Sequence, residues 1–354
     1  MAGFALVCPL PAQDFAPLNA GDFLAEDGYV ERTELLEGEL AALRERLDML
    51  ETGNCNDPGC SPACVSPGWT LNVDYLNWTL RRRDLDFAIS TDDSALAVGA
   101  GVVHELEFDR DSGVRAGLAY MTKAGWEIAF TYTYFHTSAS AAALAPGGGN
   151  LWATRSHPDR NEQAATAMAM ASFDYDVLDL EIGHPLPMNR FTALKMFGGL
   201  RWANIDQDLR CEYDGIDFAN GVVTHPVSMD AFGVRLGLEG SWQLPRGFSL
   251  FGRGAGSVMY GNFRSRLLET NLSGADLIVD VSNDYEQAVP VLEAAVGASW
   301  RNSWLEIAAG YEFTNWFNLG DRSSFVDNEH EGLYAPEATD VLLDGFFIRC
   351  AARF

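Results

Sequence analysis

The sequence predicts an all-β fold: a transmembrane antiparallel up-and-down β-barrel of about ten strands (roughly 8–12), preceded by a short N-terminal coiled-coil helix. Three observations favour this fold. Hydrophobicity alternates with a period of two along most of the chain, which is the period of a strand with two environments. The C-terminal strand is apolar on one face to its last residue. The connections between predicted strands alternate between short and long.

The C-terminal stretch, residues 339–354, shows the alternation best. One row consists of Phe346, Ile348, Cys350, Ala352 and Phe354, and the other of Gly345, Phe347, Arg349, Ala351 and Arg353. A soluble protein rarely ends on an exposed apolar strand, because its open edge invites aggregation. In a closed membrane barrel both edges are paired and the apolar row faces lipid. The alternative is the terminal strand of a soluble sandwich.

Composition narrows the class further. The 354 residues suffice for one large barrel or two ordinary domains, and no apolar run approaches the ~20 residues of a membrane helix. The formal charge of −26 argues against nucleic acid or anionic lipid as a partner. The expected membrane partner is the lipid of the outer membrane, which the apolar row of each strand faces.

The N-terminal region divides into two segments. Residues 1–13 are apolar and end in Pro11-Ala12-Gln13, which we interpret as the remnant of a signal peptide, although no Lys or Arg precedes Arg32. The alternative is an ordinary flexible end. Residues 14–52 hold an acidic segment and then a heptad pattern, which predicts a periplasmic coiled coil. We expect this helix to form a homo-oligomer, a trimer, unless it docks on its own chain; its seam is Leu36, Leu40, Leu43, Leu47 and Leu50.

Residues 53–67 form a linker rich in Cys, Pro and Gly. Its cysteines, Cys55, Cys60 and Cys64, are candidates for a local disulfide with one spare thiol. A zinc site would pair such a cluster with a second pair of ligands, and none follows in the sequence, so we expect no metal here. A disulfide presumes an oxidising compartment.

Residues 68–354 are predicted to form the barrel. Most of the predicted strands exceed the ~9–11 residues that a tilted strand needs to cross a bilayer. The ten segments are 69–80, 104–122, 126–136, 166–182, 190–205, 228–242, 248–263, 285–300, 304–317 and 339–354.

The connections carry as much information as the strands. Four are short, at 123–125, 183–189, 243–247 and 301–303, and they alternate with long ones at 81–103, 137–165, 206–227, 264–284 and 318–338. Outer-membrane barrels sort their loops this way, with tight periplasmic turns and long outer loops. A Greek-key sandwich has no reason to do so. Ten strands place both chain ends on the periplasmic side.

Each strand has one apolar and one charged row. A charge on the lipid face near the midplane costs about 2–4 kcal/mol, so the charged row is predicted to line the interior of a pore. That row is Asp74, Arg115, Glu127, Lys195, Arg201, Arg235, Glu239, Arg253, Glu293, Glu306, Glu312 and Arg349. The residues Trp126, Trp242, Trp300 and Phe354, at the short-turn ends, are predicted to lie at the lipid interface.

One strand does not fit the two-row pattern. In segment 166–182, Asp174 and Asp176 share the parity of Leu178 and Leu180. Either a bulge lies near Asp176, or the strand rises above the membrane at that point.

The mixed signs of the interior row favour a passive pore for small hydrophilic solutes or ions. The alternative is that the charges pair so completely that the barrel is plugged, as a structural or adhesive surface protein. An enzyme is not expected. The histidines are scattered along the sequence, and the nearest local pair that could act as nucleophile and base, Ser138 and His136, is a weak candidate. We expect no cofactor.

Several motifs also resemble a known family. They are LEFDRDSGVRAGLAY at 106–120, Gly125-Trp126, YTYFH at 132–136, WANIDQ at 202–207 and the terminal Phe354. Over about residues 68–354 the chain resembles the Legionella-type major outer-membrane protein family, in the form with heptad and cysteine-containing N-termini found in planctomycetes. The resemblance implies a pore-forming β-barrel of the bacterial outer membrane, without catalytic residues.

Overall fold

The computed structural model describes residues 67–92, 101–158, 162–189, 191–325 and 334–354. The chain divides into two units, Met1–Gly59 and Cys60–Phe354, and all described residues belong to the second. The predicted signal remnant, the heptad leucines and Cys55, Cys60 and Cys64 lie outside the described residues and stay predictions. Within the described ranges, no helix has the length and apolarity to cross a bilayer.

Ten long strands account for most of the described chain. They are β1 (Gly68–Arg81), β2 (Arg110–Met121), β3 (Glu127–Leu144), β4 (Thr166–Pro187), β5 (Thr192–Gly215), β6 (Val227–Gln243), β7 (Phe248–Asn271), β8 (Asp276–Arg301), β9 (Leu305–Phe325) and β10 (Tyr334–Arg353). Each pairs antiparallel with the next. Because β1 also pairs with β10, from Thr70 opposite Arg353 to Arg81 opposite Leu342, the ring is closed. The predicted antiparallel ring of ten strands is confirmed.

The strands are longer than predicted, and the long connection expected at 264–284 is wrong. β7 and β8 continue as a hairpin to a turn at Leu272–Gly274. On this extension the outward row is polar rather than apolar, which in the sequence looks like a loop. Its inward row is apolar, with Leu267 and Val279 buried, and an exposed cross-strand ion pair joins Arg266 to Asp280 at 2.9 Å.

The predicted segment 104–122 is also not one strand. Val102–Glu105 pairs with Asp86–Thr91, which pairs in turn with Asn150–Ala153, and Gln163–Ala164 completes this separate four-stranded sheet. We call it the mouth sheet. β2 begins only at Arg110. A further strand, Phe218–Thr224, pairs with β5 and β7.

The mouth sheet packs onto the upper ends of the barrel strands. The Tyr213 hydroxyl on β5 donates to the carbonyl of Phe87 at 2.6 Å, and the Glu269 carboxylate on β7 accepts from the amide of His157 at 2.9 Å. Phe87 and Leu151 are almost completely buried in the same apolar core as Tyr213. The described parts of the two outer connections that carry the mouth sheet therefore pack onto the barrel.

The irregularity expected near Asp176 is not a bulge. β4 pairs with β3 and with β5 without any shift of register through this residue. Asp176 instead belongs to an outward polar line across five strands, in which each residue lies directly opposite the next: Asp176, Asn204, Asp230, Asn262 and Glu286. We call it the boundary line. On β1 and β2 the first outward polar residues, Asn77 and Ser112, are likewise opposite each other.

The outward face between the boundary line and the short turns is apolar. On β6 this stretch runs from Phe232 to Trp242, which matches the ~9–11 residues of a membrane crossing. The Tyr260 hydroxyl donates to Glu286 at the upper edge, so tyrosines mark one interface. At the other edge Trp69, Trp126 and Trp242 are exposed. The outward row thus forms one apolar band between two aromatic edges.

The position of this band can be tested with two arginines. Leu236 lies near the middle of the band and is 70% exposed, so Leu236→Arg is expected to lower the free energy of unfolding by about 2–4 kcal/mol. Asn262→Arg on the neighbouring strand places the same side chain on the boundary line between Asp230 and Glu286, and is expected to change it little. The measurement is urea unfolding in lipid vesicles. Equal losses would mean that the band is misplaced.

Candidate functional site

Contacts between non-neighbouring strands show which row faces the interior. Arg115 on β2 donates to Glu312 on β9 at 3.0 Å, and Arg253 on β7 donates to Glu181 on β4 at 2.9 Å. Other strands separate each pair in the sheet, so these side chains meet only across the bore. Most of the charged residues singled out in the sequence lie in two buried clusters here.

The first is the Asp74 cluster, made of Asp74, Arg115, Glu312 and Arg349. Asp74 is completely buried, and both its oxygens accept from Arg349 at 2.8 Å. Arg115 lies 3.3 Å from Asp74 and donates to both oxygens of Glu312. Four charges from β1, β2, β9 and β10 are therefore mutually satisfied.

The second is the Glu293 cluster, made of Asp179, Glu181, Arg201, Arg235, Arg253 and Glu293. Arg201 holds Asp179 with two hydrogen bonds of 2.6 and 2.8 Å and reaches Glu293 on β8 with its remaining nitrogen. Arg235 bridges Glu181 and Glu293. Charge-assisted forks of this kind are the strongest hydrogen bonds available to side chains. The cluster joins five strands across the bore.

Asp179 and Glu181 were not among the residues predicted to line the interior. The signal was present, because both alternate with Leu178, Leu180 and Ile182 along β4. The outward Asp174 and Asp176 on the same strand obscured it, since they made the parity look broken.

The remaining predicted charges lie near the short-turn end. Lys195 contacts Glu127 at 2.5 Å, and Glu239 lies opposite both Lys195 and Arg253 in the sheet register. These three side chains line a vestibule of about 550 Å³ that is open at this end. Glu306 is held by Arg301 at 2.8 Å and by the C-terminal strand's Arg353 at 2.9 Å.

Of the predicted interface aromatics, Trp126, Trp242 and Phe354 are exposed at the short-turn end, and Trp300 is half-buried there. Trp69 and Trp304 are exposed at the same end and were not singled out from the sequence. Trp126, Trp242, Trp300 and Trp304 flank the short turns, while Trp69 and Phe354 lie opposite each other at the two ends of the barrel chain.

Beyond the charge clusters the interior is apolar. Five buried rings form what we call the aromatic layer: Trp78, Phe135, Phe173, Tyr175 and Trp316. Trp78 lies 5.5 Å from Phe135, and Tyr175 lies 5.9 Å from Trp316 in an edge-to-face contact. The cavity between this layer and the charges measures about 60 Å³, room for a few water molecules.

A third polar cluster lies where the mouth sheet meets the barrel. Arg82 donates hydrogen bonds of 2.5 Å to both carboxylate oxygens of Asp84 and one of 2.6 Å to the side-chain oxygen of Gln207. His225 is buried beside them, 3.0 Å from the Ser265 hydroxyl and 3.8 Å from Asp321. Burial, reinforced by the positive charges of Arg82 and Arg155, lowers the pKa of His225 to about 4. The imidazole is therefore neutral at pH 7.

The two buried luminal clusters contain five arginines and five carboxylates, so their charges balance. Among the described residues, no group of three or more His, Cys, Asp or Glu side chains is arranged to hold a metal ion. The interior of the barrel is therefore electrically neutral, its strands are joined by ion pairs, and a packed apolar layer lies above it.

Comparison with known proteins identifies a family whose profile matches most of the chain. The profile of the family described as "Legionella pneumophila major outer membrane protein precursor" matches residues 61–354. No curated protein sequence matches the chain significantly. Among similar solved structures, the outer membrane protease OmpT from Escherichia coli has 13% identity and a TM-score of 0.47, with 82% of this chain and 98% of that chain covered.

Two further structures are similar. The translocator domain of the autotransporter NalP from Neisseria meningitidis has 13% identity and a TM-score of 0.36, with 93% of this chain and 98% of that chain covered. Ail, the attachment invasion locus protein of Yersinia pestis, has 8% identity and a TM-score of 0.24, with 82% of this chain and 100% of that chain covered. Similarities of this size transfer no activity to this chain.

The Glu293 cluster can be tested by removing one charge. Glu293→Gln leaves Arg201 and Arg235, which are 3% and 5% exposed, short of a carboxylate, and is expected to lower the free energy of unfolding by about 3–5 kcal/mol. Glu306→Gln is the matched control. Its side chain is as exposed as that of Glu293, but its arginine partners are 43% and 40% exposed, so about 1 kcal/mol or less is expected. Urea unfolding in vesicles measures both, and equal losses would contradict a tightly coupled lumen.

The buried histidine predicts a dependence on pH. The pKa of His225 is lowered from 6.5 to about 4, so between these values the unfolded chain binds a proton that the folded protein excludes. Stability should therefore fall as the pH decreases through this window, by up to about 3 kcal/mol. His225→Gln should remove this part of the pH dependence. His136→Gln, at a half-exposed histidine, is the control and should keep it; identical profiles for both variants would contradict the prediction.

Proposed function

The chain belongs to the Legionella pneumophila major outer membrane protein family, and we propose that this chain is a structural barrel with a closed lumen rather than the pore that the family resemblance implies. It is an outer-membrane β-barrel of bacteria. Its role in this proposal is to span the outer membrane as a rigid ring and to display an ordered, polar outer surface. In this proposal the barrel has no permanently open channel.

One observation carries the proposal: ion pairs cross the bore. Arg201 and Arg235, on neighbouring strands β5 and β6, both reach Glu293 on β8, while Arg115 on β2 reaches Glu312 on β9. The cavity between these bonds and the aromatic layer measures about 60 Å³, which is room for a few water molecules only. The mouth sheet then packs on the outer side.

The energetics support a closed state. A conducting path would have to separate several buried ion pairs, and each charge would need water or another partner in exchange, because a buried charge left unpaired is strongly unfavourable. Opening would also expose buried aromatic side chains such as Trp78 and Trp316, at about 1.5–3 kcal/mol each. Both terms favour the closed state. An open conformation would therefore be a rare state of this ring.

The displayed surface is the second part of the proposal. β3, β4, β5, β7 and β8 continue well beyond the boundary line, so that their outer ends carry exposed polar residues such as Asp208 and Asp284. A further polar groove of about 430 Å³ lies on this outer part, between Asp174, Asp206 and Arg264. A rigid, charged surface of this kind suits a structural or adhesive role.

A passive pore is the second candidate. The observation in its favour is the 550 Å³ vestibule, which opens at the short-turn end and carries Glu127, Lys195 and Glu239 into the mixed-charge interior. Small hydrophilic solutes or ions would enter such a space readily. Passage would then require the aromatic layer and the mouth sheet to move together.

Planar-bilayer recordings separate the two candidates. The full chain is first shown to be folded by its heat-dependent gel shift, and then inserted into the bilayer. We expect no stable conductance steps, because the ion pairs and the aromatic layer block the bore. A uniform step size from folded protein, with matching uptake of a small sugar by vesicles, would reject the closed barrel and establish the pore.

A further inference from the structure

We propose that the protein binds the phosphate-bearing headgroup of an outer-leaflet lipid in a groove on the outer surface of β1, β2, β9 and β10. The groove measures about 550 Å³ and is lined by Arg81, Arg83, Asn315, Thr339, Asp340 and Leu342. With Arg110, which lies just below it on β2, we call this the arginine groove. It is independent of whether the lumen conducts.

An irregularity of β9 accompanies the groove. Between Trp316 and Gly320 three residues of β9 oppose one residue of β10, a large bulge in which Asn318 has a positive φ of 57°. The Asp340 carboxylate accepts the Asn318 amide at 3.0 Å and fixes the bulge. Bulges bend the bulged strand locally, which is consistent with a depression beside the end of β1.

The height of the groove fits a headgroup. Arg110 lies opposite Thr79, one outward position above Asn77, and Arg81 is the next outward position on β1. At about 3.3 Å per residue, these positions lie ~7 and ~13 Å beyond Asn77 along the strand, or roughly 5 and 10 Å in height at the usual tilt of a barrel strand. The headgroup layer occupies ~5–7 Å on each side of the hydrocarbon, so the Arg110 backbone lies within it and the Arg81 backbone a few ångströms above it.

The arginines of the groove have hydrogen-bond donors that no described carboxylate uses. Arg83 and Arg110 are exposed and form no ion pair with any described residue, while Arg81 uses Nε for Asp344 at 2.5 Å and remains 60% exposed. Asp344 also accepts the Tyr311 hydroxyl. Three arginines thus face Asp340 and Asp344, which leaves an excess of one positive charge on a chain of net charge −26. Arginine forks match phosphate oxygens.

The surface below the groove favours a lipid over free phosphate. The Arg110 guanidinium lies 5.4 Å from the centre of the Phe346 ring, over an apolar floor that is directly exposed to the bilayer. Phe346, Tyr75 and Val114 are 52%, 50% and 43% exposed. Cations above an apolar floor match a lipid, whose phosphate lies at the interface while its acyl chains lie against the protein.

The opposite side of the barrel provides a matched control. Arg264 and Arg266 on β7 lie just above the boundary line, but Arg264 is paired with Asp230 at 2.7 Å and Arg266 with Asp280 at 2.9 Å. These arginines have equal charge and similar exposure, and they are neutralised. Arg264→Gln with Arg266→Gln therefore changes the net charge by the same amount as Arg83→Gln with Arg110→Gln.

Native mass spectrometry of the folded full chain in detergent tests the proposal, with diphosphoryl lipid A as the probe. We expect the wild type and the Arg264/Arg266 control to bind it, and the Arg83→Gln/Arg110→Gln variant to bind roughly tenfold more weakly, the loss of one or two charge-assisted hydrogen bonds. Lipid A without phosphates should bind all three proteins equally weakly. The single variant Arg83→Gln serves if the double variant fails the gel-shift test for folding.

Three results would overturn the proposal. Equal binding by the groove variant and the control would remove the site, and equal binding of phosphorylated and dephosphorylated lipid A would remove phosphate recognition. Displacement of the lipid by inorganic phosphate at equal concentration would assign the groove to free phosphate. None of these results depends on conductance, so the proposed function can fail separately.

Discussion

The hydrocarbon core of a membrane offers no partner to a backbone amide or carbonyl, and the whole architecture follows from this. A sheet that crosses it must have no open edge, so the first and last strands must pair. They do so to the final residue: the Trp69 amide donates to the Phe354 carbonyl at 2.8 Å, and the Phe354 amide donates back at 3.0 Å. The apolar C-terminus is therefore a closing strand whose side chains face lipid on one side only.

Closure with ten strands fixes a narrow bore, and the narrow bore dictates what the inward residues do. Side chains from opposite walls meet, so a charge facing inward must find its counter-charge across the ring. Space inside the barrel is so limited that the Phe197 ring occupies the position that a side chain at residue 237 would take. A Cβ atom on Gly237 would collide with this ring. That ring in turn lies under the guanidinium of Arg253, at 4.4 Å. The interior is packed like a protein core, with ion pairs in place of some apolar contacts.

Local pattern was enough to predict the strands, their alternating rows and the closing of the ring, because each depends on a period of two and on loop length. It was not enough for the upper half of the barrel, where strands such as β7 continue with polar residues on the outward face and resemble loops. Nor could it show that the lumen is bridged. Arg201 and Glu293 are far apart in sequence, and whether they meet depends on the stagger of all the strands between them. The charged residues of the two luminal clusters could thus be named, apart from Asp179 and Glu181, but neither their pairing nor the aromatic layer could.

The distribution of charge reconciles a strongly acidic chain with a membrane-spanning ring. The two luminal clusters balance, so they add no net charge, and the apolar band between the tryptophans and the boundary line holds none. Much of the acid excess on the barrel lies above the band, on the outward faces of β4 to β8, where Asp206 lies among Asp174, Asp208 and Asp230 and its pKa is raised by partial burial and by this repulsion. Acidic side chains there meet water and keep long upper strands from associating with other sheets. The side formed by β1, β2 and β10 lacks this density of acid, and Arg83 and Arg110 there form no ion pair with any described residue, so the two halves of the ring present different chemistry to the same leaflet.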